Sequence, residues 1–180
     1  GGEEITQAIV KYCTAGNIAA FGVESFDAKV VKANLLNTAP LVAMKAIRII
    51  NQYGAQRGKN GLPCFLPGIN IILGLLNENK ETHLKNMQSL KQVLDENLLL
   101  RRINIRQVAV LPDTFLEKHG GDKYLKKNRK YYWKWRNQIR QEIDFVMLKR
   151  LVPTGTILHD VYTEMYDGNT TFCRKMGTYP

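Results

Sequence analysis

Polar residues that could bind a ligand stand directly behind an apolar, strand-like run. Residues 19–23 read Ala-Ala-Phe-Gly-Val, and Glu24 and Ser25 end that run. A carboxylate and a hydroxyl at the carboxyl end of a buried strand can hold ribose hydroxyls or an amino group. The plain alternative is that Glu24 caps a loop. The pattern therefore predicts a candidate ligand site at this strand end and leaves the capping role open.

A second apolar run has a glycine at each end. Gly68 and Gly74 flank the sequence Ile-Asn-Ile-Ile-Leu, and Glu78 follows four residues later. Glycines beside a buried strand let another backbone or a flat ligand approach closely. Close packing of a helix on the strand explains the same glycines equally well. Both interpretations place these glycines at a close contact.

The third run, residues 103–110, carries polar side chains among apolar ones. Asn104, Arg106 and Gln107 lie within it. Because alternate side chains of a barrel strand point into the interior, polar groups there are unusual. We expect them to contact a substrate. A hydrogen-bonded core network or an edge strand is an equally good explanation.

One segment carries most of the positive charge. The chain has a net charge of +10, and eleven Lys and Arg against three acids lie between residues 118 and 150. The residues 126–136 mix these cations with Tyr and Trp, and such a surface can bind phosphates and stack bases. The alternative is an amphipathic helix with a solvated basic face. The candidate nucleic-acid contacts are Lys126, Lys127, Arg129, Lys130 and Arg136.

Helix-length segments alternate with the three apolar runs. The periodicity predicts helices near residues 3–13, 40–54 and 84–98 and from 123 onward, with strands at 19–23, 69–74 and 103–110. This order implies right-handed crossovers and a parallel sheet. We therefore expect an α/β fold in which residues 1–153 form a partial (half) TIM-like β/α barrel, since three units are too few to close one. An open doubly wound sheet is the alternative, which strand order decides.

The tail has a different pattern. Residues 157–166 alternate like a strand, Asp167-Gly168 is a hairpin-turn signal, and residues 170–176 return. A lone hairpin is marginal in water. It either packs on the barrel piece or begins another domain, and we favour residues 154–180 as the start of a small β domain.

Composition narrows the class of protein. A hydrophobic content of 44% is ordinary for a globular chain, and no run approaches the ~18 apolar residues of a membrane span. Cys13, Cys64 and Cys173 are far apart, so neither a disulfide framework nor a metal site is expected. A cytoplasmic protein without membrane contact is predicted. Two open sheet edges would also invite self-association.

Three motifs, taken in order, resemble the second half of the radical S-adenosylmethionine (SAM) core barrel. They are Phe-Gly-Val-Glu-Ser at 21–25, Leu-Pro-Gly-Ile-Asn-Ile-Ile-Leu-Gly-Leu at 66–75 with Glu-Asn-Lys-Glu-Thr at 78–82, and Arg-Arg-Ile-Asn-Ile-Arg-Gln at 101–107. The likeness is to an archaeal-type group of uncharacterised radical SAM proteins with helix-hairpin-helix motifs, and it covers residues 3–153. The tail, with its Gly-Thr-Tyr-Pro ending at 177–180, resembles the start of the RNA-binding (TRAM-like) β-barrel of methylthiotransferases.

The resemblance implies roles for particular residues. Glu24 and Ser25 would contact the ribose or methionyl part of SAM, and Arg106 and Gln107 would face substrate, to which the strand pattern adds Asn104. The positions that would lie beside the adenine are Gly68, Ile69, Ile71, Gly74, Glu78, Val108 and Val110.

The same resemblance implies that part of the enzyme lies outside these residues. Such enzymes cleave SAM reductively at a [4Fe–4S] cluster to make a 5′-deoxyadenosyl radical. Their cluster motif, C-x-x-x-C-x-x-C, is absent from this sequence, and three thiolates must converge to hold a cluster. We therefore expect the cluster to be bound by a missing N-terminal half of the barrel and this segment to be inactive alone. The competing prediction is a basic α/β module that docks RNA through residues 126–140 without catalysis.

Overall fold

The chain has an α/β fold, which the computed structural model describes for residues 1–175. No helix in that stretch has both the length and the apolar character needed to cross a bilayer. The elements are α1 (Gly2–Tyr12), β1 (Asn17–Glu24), α2 (Ala28–Ala33), α3 (Pro40–Gly54), β2 (Phe65–Leu73), α4 (Lys80–Asp95), β3 (Arg102–Gln107), α5 (Phe115–His119), α6 (Lys123–Ile139), a π-helical turn (Arg140–Asp144), α7 (Phe145–Leu151), β4 (Val161–Asp167) and β5 (Thr170–Lys175).

The first three strands form one parallel sheet in the order β1-β2-β3. Phe21 of β1 lies opposite Ile69 of β2, and Ile69 lies opposite Ile103 of β3. Helix α3 separates β1 from β2 in the chain, and α4 separates β2 from β3. The predicted parallel sheet with helical crossovers is therefore confirmed, and chain order is kept across its three strands.

The apolar core lies against one face of this sheet. Alternate strand residues point to the same face, and Ile69, Ile71, Ile103 and Ile105 are all buried there. Removing each such side chain from water contributes about 2 kcal/mol. The helices cover these residues with Ile47 of α3, Met87 and Leu90 of α4, Trp135 and Ile139 of α6, Ile143 of the π-helical turn and Met147 of α7.

The opposite face of the sheet is partly open toward the carboxyl ends of the strands. Asn70 and Ile72 of β2 are half-buried, and Arg106 of β3 is exposed. The amide of Asn104 donates to Asn70 Oδ1 at 2.9 Å, so a polar pair spans the centre of this face. One face of the sheet is thus a packed core, and the other presents polar groups.

Several predicted boundaries were wrong, including those of β1 and α4, which span Asn17–Glu24 and Lys80–Asp95. β2 begins at Phe65, ahead of residue 69, and β3 ends at Gln107, so Val108 and Val110 lie beyond it. β3 stops because its partner does: Gly74 has a φ of 98° and turns β2 out of the ladder. Helix α3 begins at Pro40 as predicted, and its N-cap is Ala39, which makes no side-chain hydrogen bond.

The C-terminal region is helical from residue 123 onward, as predicted, and it contains a local irregularity. Trp135, Ile139, Ile143 and Met147 are buried. Between α6 and α7 the chain widens into a π-helical turn, where Arg140 pairs with Asp144 and also donates to the Ile103 carbonyl oxygen at 3.0 Å. Periodicity in the sequence does not reveal this turn, because the apolar spacing continues through it.

Helix α1 forms where it was predicted, but its apolar side is not packed in the core. Ile5 is 63% exposed and Tyr12 is 76% exposed. The helix is attached to α3 by polar contacts such as the Tyr53 hydroxyl, which donates to Glu3 at 3.0 Å.

The predicted hairpin is present as a separate antiparallel sheet of β4 and β5. The predicted end of its second strand, Met176, lies outside the described residues. All seven residues of β4 are exposed. Lys175 fixes the base of the hairpin by donating to the main-chain oxygens of Asn60 at 3.0 Å and His159 at 2.8 Å.

Candidate functional site

The carboxyl end of β1 turns sharply at Glu24. This residue has a φ of 61°, a left-handed conformation that is uncommon outside glycine. The pairing with β2 shifts register between Gly22 and Glu24. Such strained positions cluster at binding and catalytic sites. The turn lets the Glu24 side chain leave the regular alternation of the strand.

The loop after Glu24 is held by α4. Ser25 is buried and its hydroxyl accepts from the Asp27 amide at 3.1 Å. Asp27 in turn accepts from the Lys29 amide, Thr82 Oγ1 and Lys85 Nζ at 3.1, 2.9 and 3.0 Å. Ser25 therefore acts within the loop in this structure, and its hydroxyl helps to fix the strand end that carries Glu24.

The Glu24 carboxylate is an unsatisfied acceptor. Its Oε2 is buried and has no hydrogen-bond partner among residues 1–175. Burial raises the pKa of Glu24, and the positive charge of Arg106 opposes that rise. A buried carboxylate oxygen without a donor is costly. A bound ammonium or hydroxyl group would remove that cost.

A hollow of about 350 Å³ opens beside this carboxylate. We call it the β1 hollow, and its volume is within the range of small-ligand sites. The sequence patterns described above predict no ligand role for its Asn and Thr. Its lining consists of Gly22, Glu24, Leu35, Leu36, Asn37 and Thr38.

The carboxyl end of β2 has a different arrangement. Glu78 is buried, and its Oε2 accepts from the Gly74 amide at 2.5 Å. Asn128 of α6 donates to the Glu78 main-chain oxygen at 3.1 Å and to Oε2 at 3.4 Å. Burial raises the pKa of Glu78 to about 7, against the lowering effect of these hydrogen bonds. Glu78 therefore closes its own loop.

The glycines around β2 fill close contacts within the protein. A Cβ on Gly68 would lie 2.6 Å from Ile18 Cγ2, and one on Gly74 would lie 2.9 Å from Leu125 Cδ1 and 3.0 Å from Val108 Cγ1. A second hollow, lined by Gly74, Glu78, Gln107, Asn128 and Arg129 among others, measures only about 10 Å³. This β2 hollow has room for about one water molecule. The packing interpretation of these glycines accounts for what is seen.

The structure places the predicted site residues in separate environments. Ile69 and Ile71 are fully buried on the helix-covered face of the sheet, so only their main chain is available to a ligand. Arg106 and Gln107 are exposed, and Val108 and Val110 are half-buried beyond β3. Glu24 lines the β1 hollow and Gly74 the β2 hollow, so the expected shared hollow is not formed.

The basic segment forms an exposed face of α6. Lys123, Lys126, Lys127, Arg129, Lys130 and Lys134 are exposed, and we call this set the basic face. Trp135 is buried, whereas Trp133 is 63% exposed with the Arg136 guanidinium 5.3 Å from its ring centre. The surface thus offers both cations and an accessible aromatic ring.

None of the residues 1–175 form a group of three or more His, Cys, Asp or Glu side chains placed to hold a metal ion. Cys13 and Cys173 are exposed and Cys64 is half-buried, all as free thiols. Any cluster ligands expected from the radical SAM resemblance would therefore come from outside these residues.

Comparison with known proteins finds relatives without an assigned function. The chain is 47% identical over 178 residues to an uncharacterised protein of Methanocaldococcus jannaschii. It is also 47% identical over 177 residues to an uncharacterised protein of Archaeoglobus fulgidus. Each match covers 98% of this chain and 33% of the relative, so the chain spans about a third of the length of these curated relatives. No protein-family profile matches it.

Proposed function

We propose that this chain is a segment of a radical SAM iron–sulfur enzyme and contributes strands that bind SAM and face the substrate. The observation that carries the proposal is the buried, unpartnered Glu24 oxygen beside the β1 hollow at the carboxyl end of a parallel strand. Ligands of α/β barrels bind at that end of the strands. The amino group and ribose hydroxyls of SAM supply the donors that this oxygen lacks.

The sheet supports a half-barrel as the architecture. Its strands follow chain order, and their helices contribute to one core on one face. A doubly wound sheet instead reverses its order and places helices on both faces. In the proposed barrel the polar face with Asn70, Asn104 and Arg106 is the interior. The missing N-terminal half would pair with the free edge of β1 and cover that face.

The residues of this chain fit part of SAM, and the cluster is assigned to the other half of the proposed barrel. The β1 hollow has the volume and the acceptor for part of SAM, with Asn37 and Thr38 as further polar lining. The [4Fe–4S] cluster, which supplies the electron for SAM cleavage in this class of enzyme, would be held by the other half of the barrel. In this proposal the chain orients the nucleoside of SAM. Its packed β2 end excludes water.

The domain division remains part of the proposal. Residues 1–153 would be the C-terminal half of the barrel and residues 154–180 the start of a small β domain. The hairpin supports that division, because Val161, Met165 and Phe172 are between 43% and 53% exposed. Side chains of this kind are covered when a hairpin belongs to a larger β domain. Open edges at β1 and β3 would favour self-association if no partner covered them.

The test is SAM affinity of the full-length protein by equilibrium dialysis. Glu24→Gln keeps the shape of the side chain but removes its charge, and we expect it to weaken SAM binding by about tenfold or more. Glu81→Gln on α4 is the matched control, since that glutamate is 61% exposed, and it should bind as the unmodified protein does. Equal affinity of both variants, or no SAM binding by the unmodified protein, contradicts the proposal.

The basic α/β RNA-binding module without catalysis is the second candidate. The exposed basic face with Trp133 favours it. If the unmodified protein binds RNA but does not bind SAM, that result favours this candidate over the first.

A further inference from the structure

Helix α6 begins at the carboxyl ends of the strands. Leu125 packs where a side chain on Gly74 would stand, and Asn128 donates to the Glu78 main-chain oxygen. Tyr124 donates to Asn77 Oδ1 at 2.8 Å. These contacts fix the first turns of α6 to the loop that follows β2. The basic face therefore starts beside the loop that follows β2, at the same end of the sheet as the proposed site.

Arg129 connects the two surfaces. It is exposed on the basic face, and it lines the β2 hollow together with Gln107 at the end of β3. Gln107 and its neighbour Arg106 are themselves exposed. Arg129 therefore places a positive charge between the basic face and the end of β3.

Most cations of the basic face have no competing acid. Lys126 pairs with Asp122 at 2.8 Å, but Lys127, Arg129 and Lys134 form no ion pair with any of the residues 1–175. Lys130 and Lys80 of the neighbouring α4 lie 5.1 and 4.9 Å from the Tyr131 ring centre. Unpaired cations on the solvent-exposed side of a helix can contact a phosphate backbone.

The aromatic ring distinguishes the kind of polyanion. Arg136 lies 5.3 Å from the centre of the exposed Trp133 ring. A cation beside an exposed indole forms a stacking platform that suits unpaired bases, whereas a paired duplex keeps its bases stacked on one another. The surface therefore fits a single strand better than a duplex.

We propose that the substrate acted on at the strand ends is a single-stranded polynucleotide. Its phosphates contact Lys127, Arg129 and Lys130, one base stacks on Trp133, and the polynucleotide continues past Gln107 at the end of β3 to Arg106 on the open sheet face. This inference rests on the proposed function, since it names the substrate class of the same site. RNA and DNA share the chemistry that this surface recognises.

The first experiment measures binding of fluorescein-labelled single-stranded RNA and DNA of one sequence to the full-length protein by anisotropy. Replacing Lys127, Arg129 and Lys130 together by Ala should weaken binding by more than tenfold and lower the salt slope by about 2. The control replaces Lys11, Lys45 and Lys59 together by Ala. These exposed lysines lie on or beyond other helices, and their replacement removes the same total charge. Equal losses in the two triple variants overturn the proposal, and the RNA and DNA arms show which polymer is preferred.

The second experiment tests whether a base stacks on Trp133 and whether the polynucleotide reaches the strand ends. Trp133→Ala should weaken single-strand binding by about tenfold, Trp133→Phe should restore much of it, and neither should change heparin binding. Ultraviolet crosslinking of 4-thiouridine RNA should label peptides containing Arg106 and Gln107 as well as Trp133. Binding without labels at the strand ends overturns the substrate role. Labelled strand ends in a protein that does not bind SAM would instead contradict the proposed function alone.

Discussion

Two glutamates stand at the ends of neighbouring parallel strands, and their surroundings differ. Glu78 after β2 is fully enclosed, and its carboxylate accepts from Gly74 and Asn128. Glu24 at the end of β1 has a buried oxygen without a partner in the described chain and faces a hollow of about 350 Å³. Burial raises the pKa of both groups. The difference indicates that Glu78 stabilises the fold and that Glu24 is available to a ligand.

Removal of Glu78 is the strongest way to test that difference. Glu78→Ala leaves the buried Gly74 amide without its acceptor and opens a cavity, so we expect a loss of about 3 kcal/mol in the free energy of unfolding. Chemical denaturation followed by circular dichroism measures it. Glu81→Ala, which removes an exposed glutamate in the first turn of α4, should change the value by less than about 0.5 kcal/mol. A loss in Glu24→Ala equal to that in Glu78→Ala would abolish the distinction.

The pH dependence gives an effect of similar size. An unfolded glutamate has a pKa near 4.5, and in the fold that of Glu78 is about 7. The folded state therefore holds the proton more tightly, and stability falls as pH rises from about 4.5 to about 7, by about 3 kcal/mol. Denaturation midpoints across that range should show the fall, and Glu78→Gln should lack it.

The titration of His83 also changes stability with pH, so the effect of Glu78 must be measured as the difference between the unmodified protein and Glu78→Gln. Burial lowers the pKa of His83, so its contribution to stability increases with pH, opposite to that of Glu78. The difference between the unmodified protein and Glu78→Gln cancels the histidine. A difference that stays flat with pH would show that folding does not raise the pKa of Glu78.

Gly74 tests whether the β2 loop requires its tight packing. Gly74→Ala places a methyl group 2.9 Å from Leu125 at a φ of 98°, and we expect a loss of about 2 kcal/mol. Gly155→Ala is the matched control, since its φ is 88° and nothing lies within 4 Å of the added carbon. The excess loss at Gly74, read from thermal unfolding, isolates the contact. Equal losses would attribute the whole effect to backbone strain.

The smallest expected effect belongs to Glu24. Glu24→Gln removes a partly buried charge that has no hydrogen-bond partner at Oε2, so stability should change by no more than about 0.5 kcal/mol, in the stabilising direction. The same thermal unfolding measurement detects it. A large destabilisation would mean that the carboxylate holds the strand end together, as a loop cap would.

Regular patterns made the sheet and its covering helices predictable. The apolar runs of β1 and β2, the alternating isoleucines of β3 and the helical spacing of the residues from Trp135 to Met147 follow from burial alone. The ends of the elements were harder, because β3 ends where its partner turns at Gly74. The separation of Glu24 and Gly74 into two hollows was not predictable, since it depends on left-handed turns that hydrophobic periodicity does not encode. The prediction of a ligand role for Glu24 remains a prediction.

Gly22 determines which position the Glu24 carboxylate can occupy at the end of β1. A Cβ at this position would overlap Oε1 of Glu24, so a single methyl group would displace the carboxylate without touching any other polar contact described for that loop. Because Gly22 has no side chain, the Glu24 carboxylate can occupy the space beside it. If Glu24 binds a ligand, as proposed, then Gly22 fixes the position of the carboxylate that the ligand meets.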